Sequence, residues 1–194
     1  MSYLTDVTDK VRNLVNDNLK SETDVFVYTG ASTLFTLSEG NVDSIAEVLV
    51  NDTESGVTYT SSTNLVKLDI TSNLEIDDVI EVTYNCYSNY SDSEILAYIL
   101  SAFVYISTAN FKSFSIQNNN IYPAPTIPES NLIALMASVL IDPQNVSYRM
   151  PDVGVTMPKD LNTYDKISKI LSAFKRAGNV GEAFISEDTV ATES

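Results

Sequence analysis

The chain has 194 residues, of which 26 are Asp or Glu and 11 are Lys or Arg, so its formal net charge at pH 7 is −15. This excess of carboxylates argues against tight binding to nucleic-acid phosphates, which requires clustered bases that displace counterions. The absence of histidine excludes Ser–His, Cys–His and His-based zinc catalysis.

The remaining composition is that of a folded chain, with 44% hydrophobic residues, and it offers little for catalysis. The six glycines form no phosphate-binding motif, and the single cysteine, Cys86, excludes an internal disulfide. The N-terminus lacks the features of a signal peptide, and the longest apolar stretch, residues 95–106, is shorter than the ~20 residues that span a bilayer. We therefore expect a soluble protein that is not exported, not an enzyme and without a cofactor.

The first segment predicts an amphipathic helix over residues 4–19. Its apolar residues recur at three- and four-residue steps, at Leu4, Val7, Val11, Leu14 and Leu19. Ser2 or Thr5 can cap its N-terminus. A helix of this length is not stable alone, so it needs a partner surface.

From residue 25 the apolar period changes to two, which predicts six short strands at 25–29, 33–37, 44–50, 57–60, 65–70 and 79–87. Short strands separated by turn-forming residues are typical of a small antiparallel sandwich or barrel. Residues 21–90 hold twelve carboxylates against one base, Lys67, and therefore carry −11. We interpret them as an acidic β-domain inserted into the first loop of a helical domain.

Three further helices are predicted. Ser91 and Glu94 fit a capping box ahead of a helix over residues 95–111, whose apolar side chains, including Leu100 and Phe103, lie on every side. Such a helix is expected to be buried all round, by other helices or by neighbouring subunits. After an irregular connection at 113–126, Pro128 suits the first turn of a helix over 128–141.

The C-terminal part is predicted as a loop over residues 147–159 and a fourth helix over 161–177. Lys175 and Arg176 lie near the negative end of that helix. The tail at 179–194 is mostly small and acidic around one apolar pair, Phe184 and Ile185.

The predicted fold is therefore α+β, a discontinuous α-helical bundle with an inserted small antiparallel β-sandwich or barrel domain. The bundle comprises residues 1–20 and 91–178, the acidic insert 21–90, and a C-terminal docking arm or tail 179–194.

No residue pattern predicts a catalytic, cofactor or metal site. The densest carboxylate cluster is Glu75, Asp77, Asp78 and Glu81; it could bind Ca²⁺ or flank a glycosidic bond, but a solvated turn is the simpler interpretation. Cys86 is most simply a small core residue. Five bases lie on or beside the last helix and indicate a solvated face, or a surface that meets an acidic neighbour or a nucleic acid: Lys159, Lys166, Lys169, Lys175 and Arg176.

The order of these parts resembles the head–tail connector (adaptor) proteins of tailed bacteriophages, some of which carry a β-domain after the first helix. The opening helix 4–19, the capped helix from Ser91 and the helices 128–141 and 161–177 carry the resemblance. Segments 25–30, 35–37, 44–45, 48–51 and 78–84 look like β-modules common in phage neck and tail proteins.

The resemblance implies a ring of identical subunits, a dodecamer, bound beneath the portal protein and leading to a stopper or tail protein. DNA would pass through the ring during ejection without sequence-specific binding. The protein would be made in the host cytoplasm, reside in the neck of the virion and contact no membrane. The resemblance also implies that the C-terminal segment reaches into the portal, so Phe184, Ile185, Lys175 and Arg176 are the predicted partner-binding residues.

Three alternatives remain open from the sequence. The chain could be another neck or tail component, such as a stopper, a tail-completion protein or a baseplate part. It could be an acidic β module that binds carbohydrate or Ca²⁺. The charge of −15 would also suit an inhibitor that mimics DNA.

Overall fold

The computed structural model describes residues 2–54, 57–62, 65–149 and 154–177. Over these residues the protein is α+β, with four helices and several small antiparallel sheets. The chain divides into two compact units. Residues 17–91 form one, called the β unit below; residues 1–16 and those from 92 onward form the other, called the helical unit. The sequence places the corresponding boundaries after residues 20 and 90.

The β unit contains six strands, each of which overlaps a predicted one, although β1 begins six residues before its predicted start at residue 25. They are β1 (Leu19–Val27), β2 (Leu34–Thr36), β3 (Val42–Val50), β4 (Tyr59–Ser61), β5 (Lys67–Ile70) and β6 (Val79–Tyr87). They form two three-stranded antiparallel sheets with the orders β1-β6-β3 and β2-β5-β4. One hydrophobic cluster combines Ile80, Val82 and Tyr84 of β6 with Leu68 and Ile70 of β5, so both sheets contribute to the same core.

The helical unit contains α1 (Tyr3–Leu14), α2 (Asp92–Thr108), α3 (Ile127–Ile141) and α4 (Thr163–Ala177). α3 contacts each of the other three helices. All ten residues from Ser130 to Val139 are buried, because α3 has apolar or small side chains on every face. The Lys112 ammonium, four residues beyond the end of α2, lies 3.3 Å from the Glu129 carboxylate in the first turn of α3, so the end of α2 lies near the start of α3.

Capping residues define where α1 and α3 begin. Ser2 is the N-cap of α1 and its hydroxyl accepts a hydrogen bond from the Leu4 N–H at 3.2 Å, which confirms one of the two caps proposed from the sequence. Thr126 and Glu129 form a capping box at the start of α3. Although burial raises the pKa of Glu129, hydrogen bonds from Thr126 and Lys112 lower it on balance.

The prediction that the first helix extends to Leu19 is wrong. α1 ends at Leu14, Asn16 has a positive φ of 56°, and Leu19 is the first residue of β1. Asn tolerates the left-handed conformation that commonly ends a helix. Leu19 satisfies both the helical period before it and the alternation after it, so the period alone could not place the boundary.

The two segments predicted as irregular contain short hairpins. β7 (Ser115–Gln117) pairs with β8 (Asn120–Tyr122), and β9 (Ser147–Arg149) pairs with β10 (Gly154–Thr156). Asn118 and Asn119 between β7 and β8 have φ values of 50° and 56°. Two consecutive positive φ angles are those of a type I′ turn, for which Asn is a favoured residue.

Other elements of the same chain do not bury α2 on every side, so burial of its remaining face by neighbouring subunits stays a prediction. Its buried side chains lie on one face, at Ile95, Ile99, Ala102, Phe103 and Ile106. The opposite face is exposed, and Leu100 retains 45% of its accessible surface. It is α3 that other elements surround.

The insertion point of the β unit is held by an ion pair within the helical unit. The Arg12 guanidinium, in the last turn of α1, donates to the carboxylate of Asp92, the first residue of α2, at 2.6 Å. The Arg12 side chain is almost entirely buried. The chain therefore leaves and re-enters the helical unit at neighbouring positions.

We predict that Phe103→Ala lowers the free energy of unfolding by ~3–5 kcal/mol, because it empties a buried site beside α3. Leu100→Ala, on the exposed face of the same helix, should cost about 1 kcal/mol or less. Denaturant titration of both purified variants measures the difference. Equal losses would contradict the orientation of α2.

We also predict that replacing residues 17–91 by a short Gly/Ser linker leaves a folded helical protein, because the two ends adjoin at the Arg12–Asp92 ion pair. Far-ultraviolet circular dichroism should retain the helical signal, with a cooperative thermal transition. Loss of the helical spectrum would show that the helical unit depends on the β unit.

Candidate interaction surfaces

The charge of the chain is divided very unevenly between its parts. The β unit has thirteen carboxylates and two bases, a net −11. The described residues of the helical unit have eight carboxylates and nine bases, a net +1. The described part of the helical unit is therefore nearly neutral, and the β unit repels anionic surfaces at distances shorter than the screening length, ~8 Å at physiological salt.

One face of α2 is exposed and free of charge. We call it the α2 ridge and define it by the six residues that share that face, Ala97, Leu100, Ser101, Val104, Tyr105 and Thr108. Val104 is 61% exposed and is the most exposed large apolar side chain on the ridge. Among the residues that the structure describes, the Tyr105 hydroxyl has no hydrogen-bond partner. A largely apolar helix face that no other described residue covers is typical of an interaction surface.

A groove lies where the N-termini of α1 and α3 meet. Six residues line this α1–α3 groove: Ser2, Tyr3, Asp6, Pro125, Ile127 and Ser130. Its volume is about 220 Å³ and its lining is mainly apolar. Ile127 on its rim is 67% exposed. The Asp6 carboxylate is paired with the Lys10 ammonium at 2.8 Å, so the groove holds no uncompensated charge.

Ser130 gives the groove an unused polar group. Its side chain is buried, with the residue only 3% exposed. Its hydroxyl forms no hydrogen bond with the residues that the structure describes. It is not one of the buried unpaired side-chain atoms, and it lines the groove, where it is accessible to water.

The prediction of a solvated basic face on the last helix is wrong for Lys166. That side chain is 1% exposed, and its ammonium donates to the carbonyl oxygens of Pro143 at 2.6 Å and Asn145 at 2.9 Å. The Tyr148 hydroxyl donates to the same Asn145 carbonyl and to that of Asp142. Burial raises the pKa of Tyr148. These donors satisfy carbonyl groups that follow the C-terminus of α3.

The predicted partner-binding bases lie at the end of α4. Lys175 and Arg176 are exposed in its last turn, as the sequence indicates. The Lys175 ammonium lies over the Phe111 ring, 5.4 Å from its centroid. Arg176 also has an interaction partner within the chain. Phe184 and Ile185 lie outside the described residues, as does the whole predicted arm at 179–194.

The acidic cluster at the start of β6 is organised as a turn. The Asp78 carboxylate accepts hydrogen bonds from the Glu75 N–H and from the Asn51 side chain, both at 2.7 Å. These two bonds lower the pKa of Asp78. Within the described residues no group of three Asp, Glu, His or Cys side chains is arranged to hold a metal ion.

Cys86 and Tyr84 are core residues of the β unit. Both are fully buried on the same face of β6. Burial raises the pKa of each of these side chains. The Tyr84 hydroxyl is satisfied by Asp24 at 3.2 Å and Ser38 at 3.1 Å. Cys86 therefore has the structural role that the sequence indicates.

The α2 ridge and the α1–α3 groove are candidate functional features that the sequence does not reveal as surfaces. The absence of charged residues over 95–111 is consistent with an exposed apolar face on α2, but it is equally consistent with a helix that is buried on every side. No sequence pattern predicts that Tyr3 and Ile127 line the same groove, because the groove depends on how α1 packs against α3.

We predict that Lys166→Met destabilises the protein by about 1–3 kcal/mol, because it removes the donor to the Pro143 carbonyl and one of the two donors to the Asn145 carbonyl. Lys169→Met is a matched control on the same helix, since Lys169 forms no ion pair or hydrogen bond with the described residues; it should change stability by less than about 0.5 kcal/mol. Denaturant unfolding of the two variants compares them. Equal stabilities would contradict the structural role of Lys166.

No helix in the described part of the chain has the length and apolar character needed to cross a membrane. In the comparisons with known proteins, the sequence matches no protein-family model and no curated protein.

Proposed function

We propose that this chain is a virion structural protein, the neck adaptor of a tailed bacteriophage. It forms a ring of identical subunits, a dodecamer, between the portal protein and the stopper or tail, and DNA passes through that ring. The observation that carries the proposal is the plan of the chain. An acidic β unit with a net charge of −11 interrupts a helical unit with a net charge of −4 between its first and second helices, which is the order of parts in which the sequence resembles connector proteins.

The proposal also includes the architecture of each unit. The helical unit is a bundle around α3, because α3 is buried over ten consecutive residues and contacts the other three helices. The β unit is a small sandwich of two three-stranded sheets, because residues of both sheets share one hydrophobic cluster.

The charge distribution suits a conduit for DNA. A channel wall that bound phosphate tightly would slow the passage of DNA, whereas carboxylates repel phosphates at short range. The β unit supplies −11 per subunit, and a ring multiplies that charge. Passage without sequence-specific binding is therefore the behaviour expected of this surface.

The helical unit suits assembly rather than catalysis. Its α2 ridge and α1–α3 groove are apolar surfaces available to partners, and the sequence has no histidine to serve as a general base.

The proposal includes the location of the protein and its contact with the portal. The protein is made in the host cytoplasm and becomes part of the neck of the virion. The C-terminal segment, with Phe184 and Ile185 and the bases Lys175 and Arg176, is the proposed contact with the portal.

We predict that the chain, mixed with the portal protein encoded in the same genome, forms a complex whose native mass corresponds to one portal and one ring of this subunit. Native mass spectrometry gives the stoichiometry, and electron microscopy gives the position of the added ring. Changing Phe184 and Ile185 to Ser should abolish attachment while circular dichroism and the melting temperature remain unchanged.

Two results would contradict the proposal. A chain that does not bind the portal but binds a tail or baseplate protein would be another virion component. A chain that stays a small oligomer and competes with DNA for a nuclease or repressor would be a DNA mimic.

A further inference from the structure

We propose that the segment after α4, residues 178–194, docks on the helical unit of its own chain, with its apolar pair Phe184 and Ile185 in the α1–α3 groove. The segment lies outside the described residues, so the surface that receives it and the composition of the segment carry the inference. It goes beyond the proposed function, because it concerns the chain before any partner is present.

The described chain ends beside the connection that joins α2 to α3. The Lys175 ammonium, in the last turn of α4, lies 5.4 Å from the centroid of the Phe111 ring, three residues beyond α2. α4 ends at Ala177, two residues after Lys175. The segment therefore starts close to Phe111.

The groove is one further contact away from Phe111. The adjacent residue, Lys112, donates through its ammonium to the Ala124 carbonyl and to the Glu129 carboxylate, both at 3.3 Å. Ala124 is followed by Pro125, which lines the groove. Two side-chain contacts, one from Lys175 and one from Lys112, thus connect the end of α4 with the groove.

The segment is long enough to bring the apolar pair to this site. The seven residues from 178 to Phe184 span up to ~23 Å when extended, which is sufficient to pass two side-chain contacts. The groove has a volume of about 220 Å³ and a mainly apolar lining, and Ile127 on its rim is 67% exposed. Covering Ile127 with Phe184 and Ile185 removes apolar surface of both from water.

Charge favours this segment as the occupant. Residues 178–194 contain no base and therefore carry −4, whereas the described residues of the helical unit carry +1. The β unit, with −11, repels the same segment. The four carboxylates of the segment are Glu182, Glu187, Asp188 and Glu193.

Exposed bases lie along the path from α4 to the groove. Lys112 and Lys175 are both exposed, and Lys175 forms no ion pair with the residues that the structure describes. Glu182 precedes Phe184 by two residues, so it passes these ammonium groups when the apolar pair occupies the groove. The attraction between opposite charges therefore guides the segment toward the groove.

Docking within the chain keeps Phe184 and Ile185 out of water until a partner replaces the groove. Because the segment loses conformational freedom when it docks, the net stabilisation is small and the contact is exchangeable. In the proposed neck adaptor, the portal competes with the groove for the same apolar pair.

The test uses the fluorescence of the full chain. The sequence contains no tryptophan, so Phe184→Trp introduces a single reporter at the proposed contact. Its emission maximum should lie at shorter wavelength than that of the same variant unfolded in urea, and acrylamide should quench it more weakly. Both values should be independent of protein concentration.

Second substitutions locate the contact. Ile127→Asp, on the rim of the groove, should return the emission maximum to that of the unfolded chain. Tyr164→Asp is the matched control, because Tyr164 is 72% exposed on α4 and does not line the groove; it should leave the emission unchanged. Lys175→Glu should shift the emission toward longer wavelength, whereas Lys169→Glu, earlier on the same helix, should not. Circular dichroism verifies that all the variants are folded.

A crosslink distinguishes docking within one chain from docking between copies. The native Cys86 is fully buried, so it does not interfere with reagents at the surface. With a short bis-maleimide, the double variant Ile127→Cys, Phe184→Cys should become linked within the monomer, as mass spectrometry of its peptides shows. An equimolar mixture of the two single variants should give no covalent dimer above background.

Three results would overturn the inference. Emission of the Phe184→Trp variant at the wavelength of the unfolded chain would show that the segment does not dock. A shorter wavelength that Ile127→Asp does not change would place the contact outside the groove. Covalent dimers from the mixture, without a link inside the double variant, would assign the groove to the segment of a second copy.

Portal binding separates this inference from the proposed function. If the chain binds the portal through Phe184 and Ile185 but the tryptophan of the free variant is exposed to quencher, only the inference fails. If the segment docks in the groove but the chain does not bind the portal, the docking is correct and the neck assignment is wrong.

Discussion

The helical unit depends on the burial of α3. Between Glu129 and Asp142 this helix has no charged residue, so no face of it can be exposed to water without loss of hydrophobic stabilisation. Three helices are needed to surround it, and α1, α2 and α4 each supply one face. Because each of the three uses only one face for this purpose, each has another face left for solvent or for a partner. The exposed α2 ridge is a consequence of that arrangement.

The carbonyl groups that follow α3 must also be satisfied in a protein interior. Lys166 and Tyr148 reach these carbonyls from α4 and from the β9–β10 hairpin. A lysine is an unusual choice for a buried position, since removing a charge from water is costly. Here the ammonium group donates to the carbonyl oxygens of Pro143 and Asn145, and these two hydrogen bonds offset part of the cost of its burial. Packing around α3 and the position of α4 are thus linked.

The negative charge of the chain is concentrated in the β unit. Of the net charge of −15, the β unit carries −11, whereas the described residues of the helical unit carry +1. The Arg12–Asp92 ion pair holds α1 against α2 at the point where the β unit is inserted. In the proposed ring, the β unit would repel phosphate and the less charged helical unit would be the better surface for contacts between subunits. This division of charge is the physical basis of the proposed role in a DNA conduit.

The sequence by itself determined the sign and location of the charge, the approximate places of the six strands and the existence of four helices, because these follow from local composition and from periods of a few residues. It could not determine which of two largely apolar helices is central. α2 and α3 each have charged residues only in the first turn, and only long-range packing surrounds α3 while leaving Leu100 and Val104 of α2 exposed. The burial of Lys166 and the groove between Tyr3 and Ile127 were decided in the same way, since each depends on residues far apart in the chain. Local sequence patterns determine where helices and strands form, whereas contacts between distant elements determine which of their faces are exposed.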